Sequence, residues 1–206
     1  MSRKIKWESQ NSAPFYDQIL SLLNDQIMHN SKSGTPFLIA IDGNCGSGKS
    51  TLAHFLQNHF ECNLFHMDDF YLPWSLKTPE RLNEPGGNVY YERFQAEILV
   101  PLKSGMAFSY QPYDCKHEVL LVPRMVQPMR LNIIEGSYSL HPKLKESYNY
   151  TIFMSISESN QTARILARNG IEGLKRFQEL WIPLENKYFE GYNISQYSDI
   201  IIEIED

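Results

Sequence analysis

A chain of 206 residues, 42% of them apolar and 21% charged, holds enough apolar material for one α/β unit, and no apolar run reaches the ~18 residues of a membrane-spanning helix. Its formal net charge of −5 and scattered basic residues argue against a nucleic-acid-binding surface, which needs an electropositive stripe, but leave room for a local phosphate site. Cys45, Cys62 and Cys115 lack paired metal-ligand spacing and residues 1–10 are polar, without the apolar core of a signal peptide, so reduced thiols and a cytoplasmic location are expected.

In chain order, apolar residues recurring through 17–29 predict a helix. Residues 37–42 form a nearly continuous apolar run, as in a central parallel strand covered on both faces. A helix is predicted over 50–60, with Leu52, Phe55, Leu56 and Phe60 inward, followed by a strand over 62–67. Residues 73–88, rich in Pro, Gly and charge, read as a long ordered loop, a type often functional when it occurs inside a compact unit. Helix is predicted over 91–102. The apolar patches of 108–129, broken by Pro112, Pro123 and Pro128, suggest short strands outside the main sheet. Strands are predicted again at 131–134, 150–156 and 200–204. Mostly helical pattern fills 159–192, with a break near Gly170 and Gly173. Strand–helix repetition of this kind predicts a parallel sheet with helices on both faces.

Between the first of these strands and its helix stand Gly43, Asn44, Cys45, Gly46, Ser47, Gly48, Lys49, Ser50 and Thr51, matching G-x-x-x-x-G-K-[ST]. Glycines let such a loop curl so that successive backbone N–H groups converge on phosphate oxygens, and the helix behind adds its positive end. Lys49 is expected to reach the β- and γ-phosphates, and Ser50 to hold Mg²⁺.

Ligands of open α/β sheets bind beyond the carboxyl ends of the strands, where two acids are expected: Asp68 and Glu135. Phosphoryl transfer to a hydroxyl needs a carboxylate to take the hydroxyl proton and oxygen ligands around Mg²⁺. Asp68 suits the first role and Glu135 the second. Asp69 complicates the assignment, because neighbours on an extended chain point opposite ways and only one is expected to face the γ-phosphate. On a helix over 157–169, Arg164 and Arg168 are four residues apart and can clamp a phosphoryl group together. Lys175 and Arg176 are weaker candidates of the same kind.

Residues 41–51, Met67-Asp68-Asp69-Phe70-Tyr71, Ile134-Glu135-Gly136 and the Arg164/Arg168 pair together resemble the uridine/cytidine kinase branch of P-loop kinases, a group that includes nicotinamide riboside kinases, pantothenate kinases and phosphoribulokinases. The phosphate loop is shared by many families; the Asp-x-Phe-Tyr segment is more specific. The resemblance implies a P-loop NTPase three-layer sandwich, with a five-stranded parallel sheet and a small β insertion. It implies one domain across 1–206, with an N-terminal helix at about 15–30, an acceptor-covering insertion at about 73–129 and a lid at about 157–190. It implies ATP and Mg²⁺, with Asp68 as the base, Tyr71 and Tyr113 beside a ring-bearing acceptor, and His117 close by. The ribose-holding Asn-x-Asp…Pro segment of uridine kinases is matched only loosely by 81–88, where Glu84 is the acid available for a diol.

The expected activity is transfer of phosphate from ATP to the hydroxyl of a nucleoside such as uridine or cytidine. Nicotinamide riboside, pantothenate and a sugar phosphate are alternative acceptors, the last needing extra cations such as Arg124 and Arg130. An ATP-binding regulatory module is the alternative of another class. No Asn-Lys-x-Asp segment is present, which favours ATP over GTP, and homo-oligomerisation stays open.

Overall fold

The computed structural model describes residues 2–8, 12–29 and 34–205. Its first element, β1 (Arg3–Glu8), occupies a stretch expected only to be polar and makes the central sheet six-stranded rather than five-stranded. α1 (Ser12–His29) leads to β2 (Phe37–Gly43), and α2 (Lys49–His59) to β3 (Cys62–His66). The chain then leaves the sheet through the 3₁₀ turns Met67–Phe70 and Trp74–Leu76 and α3 (Pro79–Asn83), so the predicted loop is partly helical. A helical run over 91–104 comprises α4 (Tyr91–Phe94), a π turn (Gln95–Leu99) and α5 (Val100–Ser104). The insertion contributes β4 (Phe108–Tyr110), β5 (Tyr113–Asp114), β6 (Val119–Leu120) and β7 (Arg124–Val126). β8 (Leu131–Glu135), α6 (Pro142–Lys145), β9 (Tyr150–Ile156), α7 (Glu158–Arg176), a π turn (Phe177–Trp181), α8 (Ile182–Gly191) and β10 (Ile200–Glu205) complete the order.

The sheet runs β1-β10-β9-β2-β8-β3 and every pairing is parallel. β2 lies inside it with all seven residues buried, because its side chains feed two cores in alternation. Phe37, Ile39 and Ile41 join Leu52 and Leu56 of α2 and Ile19 and Leu23 of α1, whereas Leu38 and Ala40 join Phe94, Ile98 and Tyr188 on the opposite face. β1 closes one edge by simple alternation: Ile5 and Trp7 turn inward, while Lys4 and Lys6 meet Glu203 and Glu205 of β10 at 2.7 and 2.5 Å. In the insertion, β4 pairs with β7 and β5 with β6, both antiparallel. The break expected in the long helical stretch falls within α7 at Gly170, whose φ of 70° departs from helix. Among the described residues no helix is long and apolar enough to cross a membrane.

Candidate active site

The phosphate loop grows directly out of β2. Gly43, Gly46 and Gly48 have φ of 138°, 80° and 94°, and Gly48 is the residue before α2. Gly43 lies so close to β9 that a Cβ there would stand 2.0 Å from the Met154 carbonyl oxygen. Gly43→Ala is therefore expected to cost ~2–4 kcal/mol of stability, from overpacking and left-handed strain combined, measurable by urea unfolding. The Asn44 N–H donates to Met154 O at 3.1 Å, while buried Lys49 curls back, its Nζ donating to the carbonyls of Gly43 at 2.7 Å and Asn44 at 2.9 Å. Asp42, wholly buried at the end of β2, accepts from the N–H groups of Gly43, Tyr138 and Leu140 and from the Tyr188 hydroxyl at 2.7–3.1 Å. Burial drives its carboxyl up to about 6 against the pull of these donors. Through it the loop, the turn after β8 and α8 are fastened together.

Glu135 ends β8 as expected, whereas Asp68, with Asp69, lies in the 3₁₀ turn two residues past β3 rather than on extended chain; both Asp68 and Glu135 line a cavity of about 570 Å³ together with Lys49 and Ser50. Asp68 is open to the cavity but surrounded by protein. Burial, and then the Glu135 charge, raise its carboxyl above the usual range against the pull of Lys49, a hydrogen bond from Tyr71 and His66. Asp69 turns away: its Oδ2 accepts from Arg124 at 3.0 Å and from the Tyr110 hydroxyl at 3.3 Å. Glu135 accepts from the Ser50 hydroxyl at 3.1 Å, and its other oxygen meets His66 Nδ1 at 2.6 Å. That hydrogen bond raises the His66 pKa.

Arg164, Arg168 and Arg176 line the same cavity from the α7 side. Arg164 reaches the Gly46 carbonyl at 3.3 Å, and Arg168 lies over the Phe177 ring, 5.7 Å from its centroid. Lys175 instead makes an exposed pair with Glu179 at 4.0 Å.

Three residues expected near an acceptor are not brought to this cavity. Glu84 is exposed, 3.8 Å from Arg81 and 3.5 Å from the Tyr91 hydroxyl. Tyr113 is buried within the β5–β6 pair, opposite Leu120. His117 is exposed, with its Nδ1 2.7 Å from Asp114 of its own turn. Of residues 73–129, Trp74, Lys77 and Cys115 line the cavity instead. The two cations considered for a sugar phosphate are engaged elsewhere, Arg124 with Asp69 and Arg130 with the Ile27 carbonyl.

Sequence reasoning missed one acid altogether. Glu185 of α8 is buried on the cavity wall, accepting from the Cys45 N–H at 2.9 Å and the Ser137 hydroxyl at 2.6 Å. Gln161 of α7 donates to the carbonyl of the same Cys45 at 2.9 Å, so both polar groups of that residue's backbone are held from the α7–α8 side. The Cys45 thiol, buried and next to Glu185, is pushed up to about 12 and is not a nucleophile at neutral pH. Trp181 also joins the wall, its ring centroid 6.1 Å from that of Tyr71.

A solved structure from Silicibacter sp. TM1040, described as a candidate fructose transport system kinase, superposes with a TM-score of 0.64 at 22% identity, covering 88% of this chain and 98% of that one. The fold is that of the P-loop kinases. Among curated proteins, uridine kinase from Clostridium perfringens is 26% identical over 182 residues, 81% of this chain and 86% of its own length. Uridine kinase-like protein 3 of Arabidopsis thaliana is 24% identical over 201 residues, 90% of this chain, which spans only 43% of that relative. No family model matches the chain. The likeness to P-loop kinases accords with the site, since the loop, the strand-end acids and the arginines converge on one cavity at the carboxyl edge of the sheet.

Proposed function

We propose that this chain is an ATP- and Mg²⁺-dependent cytoplasmic kinase that phosphorylates the hydroxyl of a small molecule, a nucleoside such as uridine or cytidine in the first instance. The observation that carries this reading is the convergence of Asp68, Lys49, Glu135 and the arginines on one cavity, with a strand-end acid facing the phosphate loop across it. Asp68 takes the proton of the acceptor hydroxyl as that oxygen bonds to the γ-phosphorus. The bond from the γ-phosphorus to the bridging oxygen breaks, and ADP leaves. Lys49, Arg164 and Arg168 neutralise charge on the transferring group, and loop amides other than those of Gly43, Asn44, Cys45 and Ser47, which donate within the protein, hold the remaining phosphates.

The Ser50 hydroxyl and Glu135 carboxylate, 3.1 Å apart, are hard oxygen donors suited to Mg²⁺, which takes few protein ligands and completes its shell with water and phosphate. When bound it would screen charge between the β- and γ-phosphates. Residues 73–129 are inferred to cover the acceptor and 157–190 to act as the lid, with Tyr71, Trp74 and Trp181 as the aromatic wall.

The deciding experiment measures ADP release with Mg²⁺ and ATP across nucleosides, nicotinamide riboside, pantothenate and sugar phosphates, comparing wild type with Lys49→Ala. Acceptor-dependent release that Lys49→Ala abolishes is expected. No acceptor above the Lys49→Ala background would overturn the kinase reading in favour of a nucleotide-binding regulatory module.

A further inference from the structure

The strand pairing that builds the core also builds the surroundings of Glu135. β3 and β8 run in the register Cys62–Leu131, Leu64–Ile133 and His66–Glu135, and a side-chain period of two puts all three pairs on one face. The first two pairs pack into the core with Leu52 and Leu56 of α2. The third emerges at the carboxyl edge of the sheet, on the side where α2 begins with Lys49 and Ser50. There both oxygens of Glu135, a side chain only 7% exposed, are engaged. Oε1 meets His66 Nδ1 at 2.6 Å, and Oε2 accepts from the Ser50 hydroxyl at 3.1 Å. An ionised carboxylate only accepts, so His66 Nδ1 carries the proton and donates it, in a neutral ring as in a charged one.

Glu135 and Ser50 line the cavity and His66 does not. Its ring lies instead beside that of His54, one helical turn after Ser50 on α2, with 5.9 Å between centroids. The two hydrogen bonds thus divide the carboxylate. Oε1 is held by a protonated nitrogen with no lone pair to offer a cation, and Oε2 is shared with the second hard oxygen donor of the site. Carboxylates that bind metals are themselves oriented by such outer hydrogen bonds. We propose that His66 is a positioning residue for the cation: its Nδ1–H fixes Oε1 of Glu135 and so presents Oε2, beside the Ser50 hydroxyl, to Mg²⁺ bound with nucleotide. The inference rests on the kinase reading above and deepens it, adding to the site a residue that lies outside the cavity.

The test measures affinity for β,γ-imido ATP, which is not turned over, by titration calorimetry in Mg²⁺ and in EDTA. It compares wild type, Glu135→Gln, His66→Leu and His66→Asn. Wild type is expected to bind the analogue more tightly with Mg²⁺, and Glu135→Gln to lose most of that gain. His66→Leu should lower the gain about tenfold, or abolish a smaller one, while affinity in EDTA stays within about twofold of wild type. His66→Asn, whose side-chain amide can place an N–H where Nδ1–H stands, should keep most of the gain. An unchanged gain in His66→Leu, an equal loss in Mg²⁺ and in EDTA, or no recovery in His66→Asn would each overturn the role of His66 and leave the kinase reading standing. Should His66→Leu not fold, judged by circular dichroism, the wild type decides. The ¹⁵N resonance of His66 Nδ1 should move when Mg²⁺ joins the analogue complex, and a fixed resonance overturns the proposal. No gain from Mg²⁺ in wild type, or a full gain in Glu135→Gln, would remove the cation from Ser50 and Glu135 and this inference with it.

Discussion

Asp68→Asn is expected to lower phosphoryl transfer by about 10²–10⁴-fold, the range for loss of a general base, while ATP affinity changes little. The substitution keeps the size of the side chain and removes its capacity to hold a proton. The loop amides and Lys49, which are expected to carry ATP binding, lie between the end of β2 and the start of α2, on a different part of the chain from Asp68. A pH signature accompanies the loss. Burial and the neighbouring Glu135 raise the Asp68 carboxyl, so the base becomes protonated, and activity falls, at a higher pH than for an ordinary carboxylate. The acid limb of kcat/KM in the wild type should therefore lie above ~4 and disappear in Asp68→Asn. Stability should move the opposite way. Because the raised pKa means that the fold disfavours the ionised form, Asp68 contributes less to stability once pH rises through its folded value. At neutral pH, removing the charge should leave the melting temperature equal or higher. Full activity in Asp68→Asn, or an unchanged acid limb, would remove Asp68 from the role of base.

How much of this was legible in the sequence depended on whether the relevant contacts are local. All five expected strands are present, and β2 stood out most because a parallel strand covered on both faces must be nearly continuously apolar. β1 escaped because only Ile5 and Trp7 face inward; its lysines suggest a solvated segment until Glu203 and Glu205, nearly two hundred residues away, are set opposite them. The strands of the insertion are two or three residues long, too short for a period to show. In the site, the phosphate loop was plain because its residues are contiguous, and Asp68 because it stands two residues past a strand. The choice between Asp68 and Asp69 became physical only when Arg124 and Tyr110, from the insertion, were found on Asp69.

Glu185 gave no local signal. It looks like any helix-surface acid, and its partner Cys45 lies 140 positions earlier. Glu84, Tyr113 and His117 lie off the cavity for the converse reason. Glu84 and His117 have side-chain partners close in sequence, Arg81 and Tyr91, and Asp114 respectively, and Tyr113 is buried in the β5–β6 pair. Placing an acceptor site requires the fold of a long insertion, whereas placing a phosphate site requires one loop.

That difference sets what Lys49→Ala should reveal. Removing the ammonium is expected to reduce turnover by about 10²–10³-fold, the scale for deleting one preorganised donor from a site where charge develops. The structure adds how the lysine is held within the loop. Its Nζ sits 2.7 and 2.9 Å from the Gly43 and Asn44 carbonyls. In Lys49→Ala those two carbonyls lose their donor, and the loop should loosen as well. Hydrogen exchange across residues 43–48 is expected to quicken without nucleotide, while the sheet strands keep their protection. The cost should also scale with the charge of the phosphate chain. Affinity should fall most for ATP, less for ADP and least for AMP, because Lys49 is expected to reach the β- and γ-phosphates and not the α-phosphate. Titrating the three nucleotides against wild type and Lys49→Ala reads this gradient directly. An equal loss for all three would place Lys49 in general loop stability rather than at the transferring phosphate.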